Sequence, residues 1–321
     1  MSFKLDYNNK PEVKSMSEAY TDVMDDILAA DERVISIDAD LMHAVGLQNI
    51  MDKYPGRIMD VGVAEANMIG IAAGLSYAGK KPYVHSFACF VTRRTFDQIF
   101  ISCAYGRNSI RIFGSDPGIT ATYNGGTHMP LEDIGIMRTV PNSVVLDLVD
   151  STMLKDVIRK TKDMDGVIYF RARRDNSIKI YDENSTFEIG KGNILVDGSD
   201  VAIITSGIMV SESLVAADLL KKSGISAAVI DMFTIKPIDK DLIIEYARKA
   251  GAIVSTDNHN DNGGLGDAVA AVLCEKCPVP MKKVSVGDNF GEVGSFEYLR
   301  ERFGLNATCI VQTAKSAIAM K

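Results

Sequence analysis

Residues 81–115, KPYVHSFACFVTRRTFDQIFISCAYGRNSIRIFGS, decide how the rest of the chain is read. KPYVHSF (81–87) and SIRIFGS (109–115) have the length and apolar bias of buried strands, and VTRRTFDQIFISCAYG (91–106) between them has the longer periodicity of a helix. A strand, a helix and a strand joined this closely form a crossover unit, which requires a parallel sheet with a helix on its face. The same alternation runs outward in both directions. Upstream lie a helix over SEAYTDVMDDILAAD (17–31) with Ser17 as its N-cap, the strand VISIDAD (34–40) and a helix over 64–78; downstream lie helices at 131–139 and 153–163 and strands at 143–149 and 167–173. Polar and turn residues then interrupt the pattern between Arg174 and Asp200, and a second series begins at VAIITSG (201–207). The expected fold is α/β in two domains, each a mainly parallel sheet flanked by helices: residues 1–180, a linker over 181–198, and residues 199–321.

The chain has 321 residues, 46% of them hydrophobic and 24% charged, enough for two cores without covalent staples. Its net charge of −7 disfavours nucleic acid and anionic membrane surfaces as partners. No apolar run reaches the roughly 18 residues of a membrane span, and MSFKLDYNNKPEVKS has no signal-peptide core, so a cytoplasmic protein is expected. Five cysteines scattered through apolar segments read as reduced thiols, without a disulfide framework.

The stretch 60–79, DVGVAEANMIGIAAGLSYAG, is apolar round most of a helical circumference and reads as a buried helix holding one carboxylate, Glu65, which needs a partner there. Common nucleotide and metal motifs fail. GLSYAGKK (74–81) ends a helix instead of following a strand, GGLG (263–266) reads as a structural turn, and the single CxxC at Cys274 and Cys277 lacks the further ligands of a zinc site. The loop 114–133, GSDPGITATYNGGTHMPLED, follows a strand and is a place for ligands in a parallel-sheet protein, although a plain connection with His128 capping the next helix fits the local pattern equally. On spacing alone Phe87 and Phe90 are core, Arg93 and Arg94 solvated, and Asp38 and Asp40 helix caps. Arg171, Arg173 and Arg174 form either a solvated edge or a phosphate grip.

In order, IDADL, DVGVAEANMIGIAAGL, PYVHSFACFVTRRTFDQI, GTHMPLEDIGIMRTVPN, FTIKPID, DNHNDNGGLGDAV and FGEVGSFEYLRERFGL resemble the transketolase family of thiamine-diphosphate enzymes, over its pyrimidine-binding and C-terminal domains. The resemblance implies that Glu65 hydrogen-bonds the cofactor's pyrimidine ring and activates it, that Phe87 and Phe90 flank that ring, and that Asp40 lies near the cofactor. It further implies that His128 contacts substrate oxygens and Arg174 a sugar phosphate.

Departures from the family pattern bear on substrate. Asp116 stands where a phosphate-contacting histidine is usual, Asn124 where an aspartate reads an acceptor hydroxyl, and Arg93 where a tyrosine of the aromatic set is usual, while the family's small phosphate-binding hydroxyl residue is replaced near Ala44. A carboxylate at 116 sets like charge against a phosphate dianion, which argues against the usual pentose phosphates. The GDG motif that holds the diphosphate and its Mg2+ or Ca2+ in this family does not occur in the chain, which implies a separate N-terminal subunit carrying it and two copies of each subunit in the assembly. The expected function is the C-terminal subunit of a split transketolase moving a two-carbon ketol unit from a ketose phosphate to an aldose. The alternatives are a 2-oxo-acid dehydrogenase beta chain, a deoxyxylulose-phosphate synthase-like protein, or a non-catalytic assembly subunit.

Overall fold

Runs such as VISID and VIYFRA bury every residue, so their strands have no face for water and lie between helical layers. The computed structural model describes residues 2–321. Its strands are β1 (Val34–Asp38), β2 (Ile58–Asp60), β3 (Lys81–Phe87), β4 (Ile110–Ser115), β5 (Val144–Asp147), β6 (Val167–Ala172), β7 (Asn193–Val196), β8 (Val201–Thr205), β9 (Ala227–Asp231), β10 (Thr234–Lys236), β11 (Ile253–Thr256) and β12 (Met281–Val284). They make two sheets, of seven strands in the order β10-β5-β6-β4-β3-β1-β2 and of five in the order β12-β11-β8-β9-β7. Every pairing is parallel except β10 on β5 and β7 on β9.

The sheets are stitched together. Thr234–Lys236, in the middle of the second series, leaves its own sheet to close the edge of the first, and the stretch 181–198 carries the edge strand β7. Where the domains meet, the wholly buried Arg171 bridges Asp133 (2.8 Å) and Asp147 (3.0 Å) and donates to the Asn258 carbonyl (3.3 Å), while Ser206 Oγ donates to Asp147 (2.8 Å). Arg171 is therefore neither a solvated edge nor a phosphate grip; two carboxylates and two chain segments use its whole charge.

Local chemistry explains where the elements begin. The first helix, Met16–Ala30, is capped by Ser15, two residues before the expected Ser17. Ser15 has a glutamate three residues on and so closes a reciprocal pair: its Oγ accepts from Glu18 N–H (3.2 Å) and its own N–H donates to Glu18 Oε2 (2.7 Å). The helix expected over 91–106 appears as a short α-helix Ala88–Thr92 and a wider π-helical segment Gln98–Tyr105. The helix Glu65–Tyr77 is not buried on all sides. Met68, Ile69, Ala72 and Ala73 pack inward, but Asn67, Gly70, Gly74 and Tyr77 face solvent on one stripe, continued by Val63, which is 72% exposed. Glycine adds almost no apolar area, so the stripe is tolerated in the isolated chain although the sequence there has no polar face.

Candidate active site

The sheet order β6-β4-β3-β1-β2 places the C-terminal ends of five strands side by side, and those ends carry nearly every residue singled out from sequence. Arg174 follows β6, Asp116 follows β4, Phe87 ends β3 with Phe90 one turn on, Asp40 follows β1, and Glu65 opens the helix after β2.

Glu65 is 3% exposed, and its partner is Arg94, whose Nη1 lies 2.8 Å from both carboxylate oxygens. The same guanidinium lies over the Phe90 ring, 4.2 Å from its centroid. Arg94 is thus not simply solvated, and Arg93 pairs with Glu132 at 2.8 Å. Phe87, Phe90 and His128 form one cluster of edge-to-face rings, with centroids 5.9 Å apart for the two phenylalanines and 5.5 and 5.0 Å from them to the histidine. His128 does not cap the following helix Asp133–Thr139, which has no side-chain cap. Its Nδ1 meets Thr127 Oγ1 at 2.9 Å, and among the described residues Nε2 has no protein partner.

Asp116 is 4% exposed and sits in left-handed backbone at φ 53°; it accepts from Arg174 N–H (3.1 Å) and Nε–H (2.7 Å). Burial pushes its carboxyl up while the Arg174 guanidinium pulls it down. Arg174 lies over Phe87, 4.9 Å from the ring centroid, and among the described residues neither of its Nη atoms has a protein partner. Asp116 therefore does not stand bare against a bound anion, as the sequence suggested; it offsets the charge of Arg174 while the Nη edge of that guanidinium remains available. The loop beyond is pinned from the second domain: Asn258 accepts from Ile119 N–H (3.0 Å) and donates to the Pro117 carbonyl (2.8 Å). Gly118, at φ +54°, gives Asn258 that access, since a Cβ there would lie 2.2 Å from its Oδ1. Asn124 ends the loop's 3-10 turn and is exposed, without a side-chain hydrogen bond to protein among the described residues.

Asp40 is exposed at φ 61°, its N–H held by Asp60 Oδ1 (2.9 Å), which also takes the Gly62 N–H (2.8 Å). Asp60 so ties the ends of β1 and β2 together just ahead of Glu65. Asp38 Oδ2 meets His85 Nδ1 at 2.6 Å, and His85 Nε2 meets Ser115 Oγ at 3.1 Å, a fully buried polar chain across three strands beneath the site. Sequence reasoning missed His85 and the role of Arg94. The spacing of Phe90 and Arg94, four residues apart in a helical stretch, was the available signal for the second; nothing local announced the first. GGLG is a structural turn, the Leu265 N–H that opens the helix Leu265–Lys276 donating to Asp257 Oδ2 (2.8 Å).

Two family models match the chain: the transketolase pyrimidine binding domain over residues 12–178 and the transketolase C-terminal domain over residues 190–310. A 6-deoxy-6-sulfo-D-fructose transketolase subunit of Clostridium sp. (strain MSTE9) is 45% identical over 95% of both chains. One of the subunits of an apulose-4-phosphate transketolase from Phocaeicola vulgatus is 31% identical over 92% of this chain and 95% of that one. Among solved structures, a split gene transketolase described as an inactive beta4 tetramer superposes with a TM-score of 0.88 at 35% identity, over 96% of this chain and 99% of the other. No helix among the described residues is long and apolar enough to cross a membrane.

Proposed function

Since the chain belongs to the transketolase family, as a C-terminal subunit built of its pyrimidine-binding and C-terminal domains, we propose that it supplies the pyrimidine half of a thiamine-diphosphate site. In this reading it transfers a two-carbon ketol unit from a ketose bearing a terminal sulfonate to an aldose, in the cytoplasm. A separate N-terminal subunit with the GDG motif brings the diphosphate half and its Mg2+ or Ca2+, in an assembly with two copies of each subunit. The observation that carries the reading is the buried Glu65 carboxylate beside the ring cluster of Phe87, Phe90 and His128.

These residues fit an aminopyrimidine. Glu65 offers a shielded acceptor for the ring's polar edge, where a directed hydrogen bond is stronger than in water, and Phe90 offers a flat face for the ring. When bound, the cofactor supplies the carbon nucleophile and electron sink that let a ketol unit change hosts. This chain's residues do the rest. Glu65 holds the pyrimidine edge and favours the tautomer that activates the cofactor, and His128 reaches substrate oxygens with Nε2 while Thr127 occupies Nδ1. Arg174 grips the terminal anion, with Asp40 at the mouth and Asn124 at the acceptor loop. The sulfonate reading is supported by the relative at 45% identity together with the Asp116–Arg174 pair. A site of reduced positive charge suits a monoanion better than a phosphate dianion.

The bare stripe of Val63, Asn67, Gly70, Gly74 and Tyr77 supports a subunit interface, because small residues let another backbone approach closely. The relatives named as transketolase subunits favour this reading over a dehydrogenase beta chain or a synthase-like protein. Glu65→Gln is the test. In the reconstituted pair it keeps fold and assembly but lowers turnover about 10²–10⁴-fold, the range for a positioned acid–base group. Near-normal turnover of a correctly assembled variant makes Glu65 a satisfied core acid and ends the proposal.

A further inference from the structure

We propose that Arg94 occupies the seat of the cofactor's aminopyrimidine in the free chain and has to vacate it before the cofactor binds. The inference rests on the reading of Glu65 and Phe90 as the pyrimidine's two contacts. Arg94 makes both of them at once: Nη1 stands 2.8 Å from each Glu65 oxygen, and Cζ lies 4.2 Å from the Phe90 centroid. A pyrimidine lying on that face of Phe90 and reaching the Glu65 carboxylate needs the space the guanidinium fills, so the two occupants compete for one seat.

The chemistry of the occupant matches the seat. A guanidinium is planar and donates N–H to a carboxylate; the aminopyrimidine is planar too, and its ring nitrogen meets Glu65 through one shared proton. Both stack on an aromatic face and both hydrogen-bond the Glu65 carboxyl group. Arg94 is the looser guest. It engages Glu65 through one nitrogen instead of the two-pronged fork of the strongest arginine–carboxylate pairs. Its side chain is 46% exposed whereas Glu65 is 4%, so it swings into solvent without disturbing the core. The arrangement gives the unpaired subunit a satisfied Glu65 instead of a bare buried charge. It also sets a threshold that a weak pyrimidine ligand fails to cross.

The test uses the full chain with 4-amino-5-hydroxymethyl-2-methylpyrimidine as probe, measured by calorimetry and ligand-observed NMR, in the parent, Arg94→Ala and Arg94→Gln. The expected result is binding at least about tenfold tighter in Arg94→Ala than in the parent, with Arg94→Gln between them and methylguanidine displacing the probe from Arg94→Ala. Adding Glu65→Gln to Arg94→Ala abolishes both ligands. Equal affinity in the parent and Arg94→Ala, dependent on Glu65, overturns the inference while leaving the pyrimidine reading of Glu65 intact. Weaker binding in Arg94→Ala overturns it by making Arg94 a contact of the bound ring. Methylguanidine binding to Arg94→Ala without any pyrimidine binding overturns both readings. Binding of neither ligand to Arg94→Ala overturns the inference, and the Glu65 reading is then decided by turnover of Glu65→Gln in the assembled enzyme.

Discussion

Asp116→Asn should move the proposed preference for a sulfonate over a phosphate towards the phosphate. Arg174 N–H donates to Asp116 Oδ1 (3.1 Å) and Nε–H to Oδ2 (2.7 Å), so the amide keeps an oxygen for one of the two donors and the variant removes the charge together with one hydrogen bond. An anion on the free Nη edge of Arg174 has its centre about 6 Å from that carboxylate, and at an effective dielectric of about 20–40 each unit of like charge there costs about 1.4–2.8 kcal/mol. A phosphate dianion bears this repulsion twice and a sulfonate once. The difference of one share corresponds to about 10–100-fold in relative kcat/KM. The assay compares the 6-sulfo ketose with its 6-phosphate isostere at pH 7.5 in the reconstituted pair. The ratio should shift by that factor towards the phosphate, with cofactor affinity unchanged and thermal stability somewhat lowered by the lost hydrogen bond. Near pH 5.5, below the second phosphate pKa of about 6, both substrates are monoanions and the parent's discrimination should narrow. A ratio that moves less than about twofold at pH 7.5 refutes the electrostatic argument and removes Asp116 from substrate choice.

Two further outcomes concern the frame around the site. Arg171→Met strands two buried carboxylates and should lower stability by about 3–5 kcal/mol in urea denaturation, while Arg171→Lys loses less because the charge stays; a loss under about 1 kcal/mol for the methionine variant contradicts the bridge. Asp231 is wholly buried, and burial pushes its carboxyl up to about 8, with Tyr181 O–H donating to it (2.6 Å) and pulling the other way. A raised folded pKa means the folded state binds the extra proton, so Asp231 adds stability at low pH that drains as pH rises from about 4 to about 8. Asp231→Asn should flatten that decline between pH 5 and 8 in denaturation curves, and an unchanged slope refutes it.

The strands are readable because they are unbroken apolar runs, and their order in the sheet is not, because parallel neighbours are set by crossovers and not by local pattern. That difference decides which parts of the site are legible. Glu65 stands out as one acid in an apolar helix, but its contact with Arg94 depends on helices after β2 and β3 meeting over the sheet. The Asp116–Arg174 pair joins positions 58 residues apart through the β4–β6 pairing, so from sequence Asp116 looks like an uncompensated charge. The helix Glu65–Tyr77 departs from expectation for a different reason: periodicity counts apolar residues facing the chain's own core and those facing outside it alike. Ser15 and Ser17 are both good caps, and only Glu18, three residues after Ser15, distinguishes them.

On this account the chain holds one half of a cofactor site and needs another subunit for the rest. The direct measurement is thiamine-diphosphate binding and ketol transfer with magnesium, first by the purified chain and then after addition of a GDG-bearing subunit. The chain alone should bind the cofactor weakly and turn over nothing, and the mixture should do both. Micromolar binding together with ketol transfer by the single chain would contradict the account.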